Sequence, residues 1–340
     1  MLQKIAILGA GAIGGSIGLD LTEAGLDVIL IDAWPSHVDA MKEQGLRVSM
    51  PGSEHHVPVR AYHLHEIYTL NPQLDLILLC AKSYDSVWLA HFIRPYLKKD
   101  GVLVCVQNSL NDEWVAPIIG PERDIGCVIE LSAEVTSPAQ IKRNTNRQGT
   151  WLAPGELNGQ ITSRLTDIEK ILSHVGTSQK TANIWGAKWS KLIANAMTQG
   201  PIGMLGIKSS EAVILPGYVE LATLAGQETY AVSQALGVNI EPVFGLTEKD
   251  FSGSVEEAIQ TLFTTLVKHI GPHSRNAVVQ DHSKGRRTEV DYLNGLVAQK
   301  GKDLGIPTPI NNAITLLNQQ IDLGKFPAEP QNLERIRSLI

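Results

Sequence analysis

Three glycines near the start of the chain, Gly9, Gly11 and Gly14, fall in a GxGxxG spacing within ILGAGAIGGSIG. Residues of this type at this spacing can hold a pyrophosphate. Gly9 permits a tight turn, Gly11 lets backbone approach the phosphates, and Gly14 lets a following helix pack closely on a sheet. The run Gly9, Ala10, Gly11, Ala12, Ile13, Gly14 then presents backbone N–H groups at a helix N-terminus, where anions are favoured. Asp32 closes the next apolar run, DVILID. A carboxylate there accepts hydrogen bonds from the adenosine ribose and repels a 2′-phosphate. No Arg or Lys stands among Ala33, Trp34, Pro35, Ser36 and His37. The pattern therefore leans to NAD, with NADP still possible. FAD shares the fingerprint, although no second flavin signal is visible.

Further candidates lie where apolar runs end. Lys82 follows DLILLCA in CAKSYD, and Gln107-Asn108 ends VLVCVQ. In open parallel sheets ligands bind beyond the carboxyl ends of strands, so a lysine and an amide there can reach a nicotinamide ring or an anionic substrate. A solvated loop lysine explains Lys82 equally well. Later, in WGAKWSKLIANAMTQG, Lys191 and Asn195 are four apart and share one helix face. Their neighbours Trp189, Leu192, Ile193 and Ala194 are apolar, and a lysine on a mostly buried face needs a partner or a purpose. Lys188 lies on a different face. Glu289, in GRRTEVDYLNG, reads as an acid in the first turn of a helix, where the dipole alone would favour it.

The elements that must position these residues follow from hydrophobic rhythm. KIAILG, DVILID, DLILLCA, VLVCVQ and DIGCVIEL read as strands, with helices over Ile13–Ala24 and Val38–Gln44. Strands alternating with helices mean βαβ units and a doubly wound parallel sheet. GTWLAPG, with a turn at Pro154-Gly155, reads as an added edge strand. From about Ile184 apolar residues recur at three and four, through INNAITLLNQQIDLG, which means helices. Gly237, Gly271, Gly305 and Gly324 stand where helix C-caps belong. The expected organisation is a dinucleotide-binding α/β domain over 1–182 and an all-helical substrate or dimerisation domain over 183–340.

Length and composition agree. The 340 residues suit two domains, 43% are hydrophobic, and the net charge of −6 argues against a general affinity for nucleic acid or anionic membrane. Cys80, Cys105 and Cys127 sit in or beside apolar runs with no metal-ligand spacing, so they read as reduced core thiols. His55-His56, with His63 and His65 after them, lack fixed ligand spacing and read as a surface turn or edge strand; no metal is expected. No stretch suits a bilayer span or a secretory leader, which makes a cytoplasmic protein the expectation.

Together these pieces resemble the ketopantoate reductase (2-dehydropantoate 2-reductase) family over nearly the whole chain. The resemblance rests on GAGAIGG, on Ala81-Lys82, on Gln107-Asn108, on KLIAN at Lys191–Asn195 and on TEVDYLNG at Thr288–Gly295, in that order. It implies a Rossmann domain followed by a helical domain similar to the C-terminal part of 6-phosphogluconate dehydrogenase. It also implies NAD(P)-dependent reduction of a 2-oxo acid to a 2-hydroxy acid, ketopantoate to pantoate or a close analogue, a step of pantothenate biosynthesis. By resemblance Lys191 is the general acid and Glu289 hydrogen-bonds the substrate hydroxyl. Asn195 orients substrate, Asn108 lies near nicotinamide and substrate, and Lys82 lies near the cofactor. Helical second domains of this kind often build dimers, so a homodimer is expected.

The chain also departs from the family pattern. Ser109 follows Gln107-Asn108 where the family usually has Gly, and Gln199 stands where a second Asn is common. Ala277 occupies the place of a substrate-binding Ser, with Ser274 and Asn276 nearby; Gln199, Ser274 and Asn276 thus join the candidate substrate shell. Two other readings remain open on sequence: a dehydrogenase for another small hydroxy acid, and a dinucleotide-binding sensor without turnover.

Overall fold

The computed structural model describes residues 2–251, 253–270 and 275–339. The chain divides into two compact units, Met1–Ile184 and Trp185–Ile340.

Among its described residues the first unit carries twelve strands: β1 (Lys4–Leu8), β2 (Asp27–Asp32), β3 (Leu46–Met50), β4 (Ser53–Val57), β5 (Ala61–His63), β6 (Leu74–Leu79), β7 (Leu97–Cys105), β8 (Asp124–Glu130), β9 (Ala133–Ser137), β10 (Gln140–Arg143), β11 (Trp151–Glu156) and β12 (Thr177–Ser178). Eight of them form one sheet in the order β12-β11-β8-β7-β6-β1-β2-β5. All neighbours are parallel except β11, which runs antiparallel to β8. The apolar runs explain the burial of both faces. Ile5 and Ile7 of β1 feed one core with Leu30, Leu76 and Val104, while Ala6 and Leu8 feed the other with Ile31, Ile77 and Leu103. Successive side chains point to opposite faces, so an unbroken apolar strand must be covered twice.

Pro154 and Gly155 do not make the expected turn. They lie within β11, opposite Cys127 and Gly126. Beyond β11 stands β12, so β11 is not the outermost strand; the β11–β12 pairing covers Trp151 and Leu152 and stops short of Pro154, which has no N–H to donate. Its carbonyl accepts Thr181 N–H at 2.9 Å. Gly155 is there for closeness: a Cβ would lie 2.8 Å from Ile184 Cβ and 2.9 Å from the Thr181 carbonyl oxygen.

A second sheet, β4-β3-β10-β9, has no counterpart in the sequence reading. His55 and His56 lie in its edge strand β4. It fastens the helix that follows the glycine loop, Ala12–Glu23. Arg143 of β10 donates to Asp20 Oδ2 of that helix at 2.6 Å, both side chains being fully buried, and to Thr150 Oγ1 at 2.8 Å. Arg147 adds a second bond to Asp20 at 2.6 Å. Burial raises the Asp20 carboxyl against the pull of the Arg143 and Arg147 guanidinium groups.

Among the described residues the second unit is helical. Its main helices are Ile184–Leu205, which begins at the last residue of the first unit, then Tyr218–Ala235, Val255–Ile270, Ala277–Ser283, Asn294–Leu304 and Pro309–Asp322. Gly237, Gly305 and Gly324 follow helix ends at positive φ, as expected of C-caps, and Gly271 lies outside the described residues. The long first helix contains Pro201, which cannot donate to the carbonyl of Met197. The buried Tyr218 hydroxyl donates to that carbonyl at 3.2 Å instead. Glu228 caps another helix from outside, accepting the N–H groups of Ile310 and Asn311 at 2.8 and 2.9 Å.

Candidate active site

In the first unit, the turn between β1 and its helix has the geometry the glycines suggested. Gly9 takes φ +91°, and a Cβ there would sit 2.7 Å from Ala81 N. A Cβ on Gly14 would fall on the Gly9 carbonyl oxygen. At Gly11 the opposite holds: a Cβ would meet no protein atom within 4 Å, so that side of the loop is open. No side chain caps the helix Ala12–Glu23, and no acid stands in its first turn. An open loop leading into an uncapped helix N-terminus fits the phosphates of a dinucleotide.

Asp32 does more than end β2. Its Oδ2 accepts Ala10 N–H at 2.7 Å and its Oδ1 accepts Trp34 N–H at 2.8 Å, so the carboxylate is held at the loop. The opposite side of Ala10 is gripped by His37. The fully buried His37 ring contacts the Ala10 carbonyl through Nε2 at 2.9 Å and accepts Ala139 N–H at Nδ1 at 3.0 Å. With Nδ1 an acceptor, Nε2 carries the proton and donates. The Trp34 ring stacks on His37, with centroids 5.2 Å apart. No sequence signal singles out His37, since its two partners lie far from it along the chain.

Lys82 and Asn108 sit just beyond β6 and β7, partly exposed. A buried polar network braces their loops. Gln107 Nε2 donates to the Ala81 carbonyl at 2.8 Å and to Ser86 Oγ at 2.7 Å. Ser86 Oγ donates to Asn111 Oδ1 at 2.7 Å, and Asn111 Nδ2 donates to the Asn108 carbonyl at 2.5 Å and Ser83 Oγ at 3.1 Å. Ser109 has φ +73°, which accounts for glycine being usual at that place in the family it resembles. Nearby in the core, Cys105, Asp112 and Asp124 bring potential ligand atoms within 4.8 Å of one another, a cluster no spacing announced; the Cys105 thiol donates to Asp124 at 3.6 Å. All three cysteines are free thiols, Cys105 and Cys127 buried and Cys80 half-buried.

In the second unit, Lys191, Asn195 and Gln199 follow one another at four-residue intervals along the helix Ile184–Leu205. Lys191 and Asn195 are buried, and so is Lys188. The Lys191 ammonium lies over the Phe244 ring, 4.8 Å from its centroid. Gln199 Oε1 accepts Ala277 N–H at 3.2 Å. Asn276 is engaged by the backbone around it. Its Oδ1 caps the helix Ala277–Ser283 at Val279 N (2.9 Å), and its Nδ2 donates to the carbonyls of Thr198 (2.8 Å) and Gln199 (3.1 Å). Ser274 lies outside the described residues.

Glu289 is buried but is not in the first turn of a helix. It precedes a single 3₁₀ turn, Val290–Tyr292, and the helix starts only at Asn294. Just before Glu289, Thr288 donates its N–H and its hydroxyl to Asp322 Oδ2 at 3.3 and 2.8 Å. Asp322 also pairs with His282 at 3.2 Å. Burial works to raise the Asp322 carboxyl, but the bonds from His282 and Thr288 outweigh it and hold it below the usual carboxylate range.

Two profiles of one family match the chain: ketopantoate reductase PanE/ApbA over residues 5–156, and its C-terminal counterpart over 183–322. The chain belongs to the ketopantoate reductase family. The 2-dehydropantoate 2-reductase of Lactococcus lactis is 28% identical over 325 residues, spanning 93% of this chain and 96% of that one. That of Archaeoglobus fulgidus is 24% identical over 331 residues, spanning 95% and 99%. Among solved structures, a PanE/ApbA family ketopantoate reductase from Ralstonia eutropha JMP134 superposes with a TM-score of 0.79 at 27% identity, covering 95% of this chain and 99% of the other. A D-mandelate dehydrogenase, solved with NADH and anilino(oxo)acetate, shares the fold with a TM-score of 0.83 at 23% identity, covering 94% and 98%. As a ketopantoate reductase family member, this chain is a nicotinamide-dependent oxidoreductase acting on a keto or hydroxyl carbon, with the family's α/β domain and helical domain. No helix of the described residues is long and apolar enough to cross a membrane.

Proposed function

We propose that the protein reduces a 2-oxo acid, ketopantoate or a close analogue, with NADH. The observation that carries this reading is Lys191, a buried lysine on one helix face with Asn195, in a chain that carries the glycine loop and Asp32 in its other unit.

Hydride addition to a ketone builds negative charge on the carbonyl oxygen. A cation and hydrogen-bond donors stabilise that charge, and the cation supplies the proton. In this reading Lys191 is that cation and general acid. Asn195 and Glu289 hold the substrate, with Asn108 and Lys82 near the nicotinamide end of the cofactor. The nicotinamide supplies the hydride when bound. Gln199 takes part through the backbone it holds, because its Oε1 already accepts Ala277 N–H.

NAD is favoured by charge. Asp32 is fixed at the loop by two N–H groups and would repel a 2′-phosphate. The first cation after it, Lys42, pairs with Glu66 at 2.6 Å. Residues 1–182 serve as the cofactor domain and 183–340 as the substrate domain of a cytoplasmic homodimer.

One observation supports a second substrate. Gln199 and Ala277, both departures from the family pattern, touch each other and form one altered patch. A dehydrogenase for another small hydroxy acid is the reading this favours.

The test follows absorbance of reduced nicotinamide, crossing NADH and NADPH with ketopantoate and other branched and unbranched 2-oxo acids. Oxidation of NADH with ketopantoate is the expected result. Turnover only with another oxo acid moves the assignment to the second reading. Cofactor binding with no turnover of any acid overturns both in favour of a sensor.

A further inference from the structure

Phe244 stands out on its backbone alone. It has φ +62°, a left-handed conformation that bulky side chains rarely adopt, and its side chain is buried. Gly245 follows at φ +79°, and Leu246 N–H donates to the Val243 carbonyl at 3.1 Å. The segment is thus a tight turn with both central residues at positive φ, positions that Asn and Gly ordinarily fill. A phenylalanine at the first of them is kept against its conformational preference, and such outliers cluster at functional sites.

The turn is fastened to the helix that carries the proton donor. Ser190 Oγ donates to the Glu241 carbonyl at 2.6 Å and accepts Glu241 N–H at 3.2 Å. Ser190 is fully buried and immediately precedes Lys191. Three residues after this double bond, the chain delivers the Phe244 ring to the Lys191 ammonium, 4.8 Å from the ring centroid. That is within the range at which a ring face attracts a cation.

We propose that Phe244 is a positioning residue for the reductive step: its ring face, clamped through Glu241 and Ser190, holds the Lys191 ammonium where it delivers its proton. The inference rests on the reading of Lys191 as general acid. The ring offers an attraction with no acceptor atom, so it orients the ammonium without competing for the proton that must pass to the substrate oxygen. An aliphatic side chain fills the space but lacks the quadrupole.

The experiment compares Phe244→Leu with Phe244→Tyr, which keeps the ring. For each, kcat with the best 2-oxo acid, the Kd for NADH and the melting temperature are measured. In Phe244→Leu kcat is expected to fall about tenfold, the scale of a desolvated cation–ring contact, with NADH affinity unchanged. Phe244→Tyr is expected to keep kcat within about threefold of the parent. If Phe244→Leu does not fold, Phe244→Met takes its place with the same expectation. Parent-like kcat in the aliphatic variant, or a tyrosine variant as slow as the aliphatic one at equal melting temperature, overturns the proposal. An inactive parent protein is a different result: it sinks the reductase reading itself.

Discussion

In the first unit the candidate groups for holding a cofactor are mostly backbone atoms: the open loop at Gly11, the uncapped N–H groups of the helix after it, and Ala10 gripped by Asp32 on one side and His37 on the other. In the second unit the candidate groups are side chains, Lys191 and Asn195 on one helix and Glu289 before a 3₁₀ turn, with the Lys191 ammonium over the ring of Phe244, distant from it in sequence. Backbone sites need residues that leave room, and these are readable as a short motif. Side-chain sites need residues that hold other residues still, and those are scattered. The difference teaches where mutations should separate affinity from turnover.

The largest expected effect strikes the support of the backbone site. Asp20→Ala leaves Arg143 buried without its carboxylate and should destabilise the first unit by about 3–5 kcal/mol. Denaturant unfolding measures it, and a loss below about 1 kcal/mol would mean the buried pair does not fasten the glycine-loop helix.

Next comes affinity. Asp32→Ala removes an acceptor from Ala10 and Trp34 and from the proposed ribose contact, so NADH should bind about 10- to 100-fold more weakly. NADPH should lose less, because the same change removes a repulsion. Titration of both cofactors checks this; equal losses would break the assignment of Asp32 to the ribose.

The smallest effect is a pH dependence in the second unit. The Asp322 carboxyl lies below its usual range in the folded chain. Its contribution is therefore present above the unfolded carboxylate value and is lost as pH falls through the lower folded value. The stability gap between the parent and Asp322→Asn should be full at neutral pH and close in acid below the usual carboxylate range. A gap independent of pH in urea titrations would contradict the role of Asp322 as an anion holding Thr288 beside Glu289.

Much of the molecule is legible in the sequence. The parallel strands announce themselves as unbroken apolar runs, and the glycine loop as a spacing. Lys191 and Asn195 emerge from their four-residue interval, but their roles, and the place of Glu289, come from family resemblance. The second sheet escapes such a reading because LRVSM, SEHHV, AEVTS and QIKR are short and carry polar residues; what joins it to the rest is long-range, Leu46, Val48 and Ile141 in the core shared with β1 and Arg143 on Asp20. Pro154-Gly155 looks like a turn because only the structure shows that Ile184 and Thr181 press on Gly155. His37 and Phe244 give no signal, one a lone histidine and the other a lone phenylalanine, each defined by what it touches.

The most direct measurement is turnover by Lys191→Ala at saturating NADH, alongside its NADH affinity. With Lys191 as proton donor, kcat should fall by about 10²- to 10⁴-fold while the Kd for NADH stays within about twofold of the parent. Near-normal kcat in this variant would contradict the assignment of the proton donor.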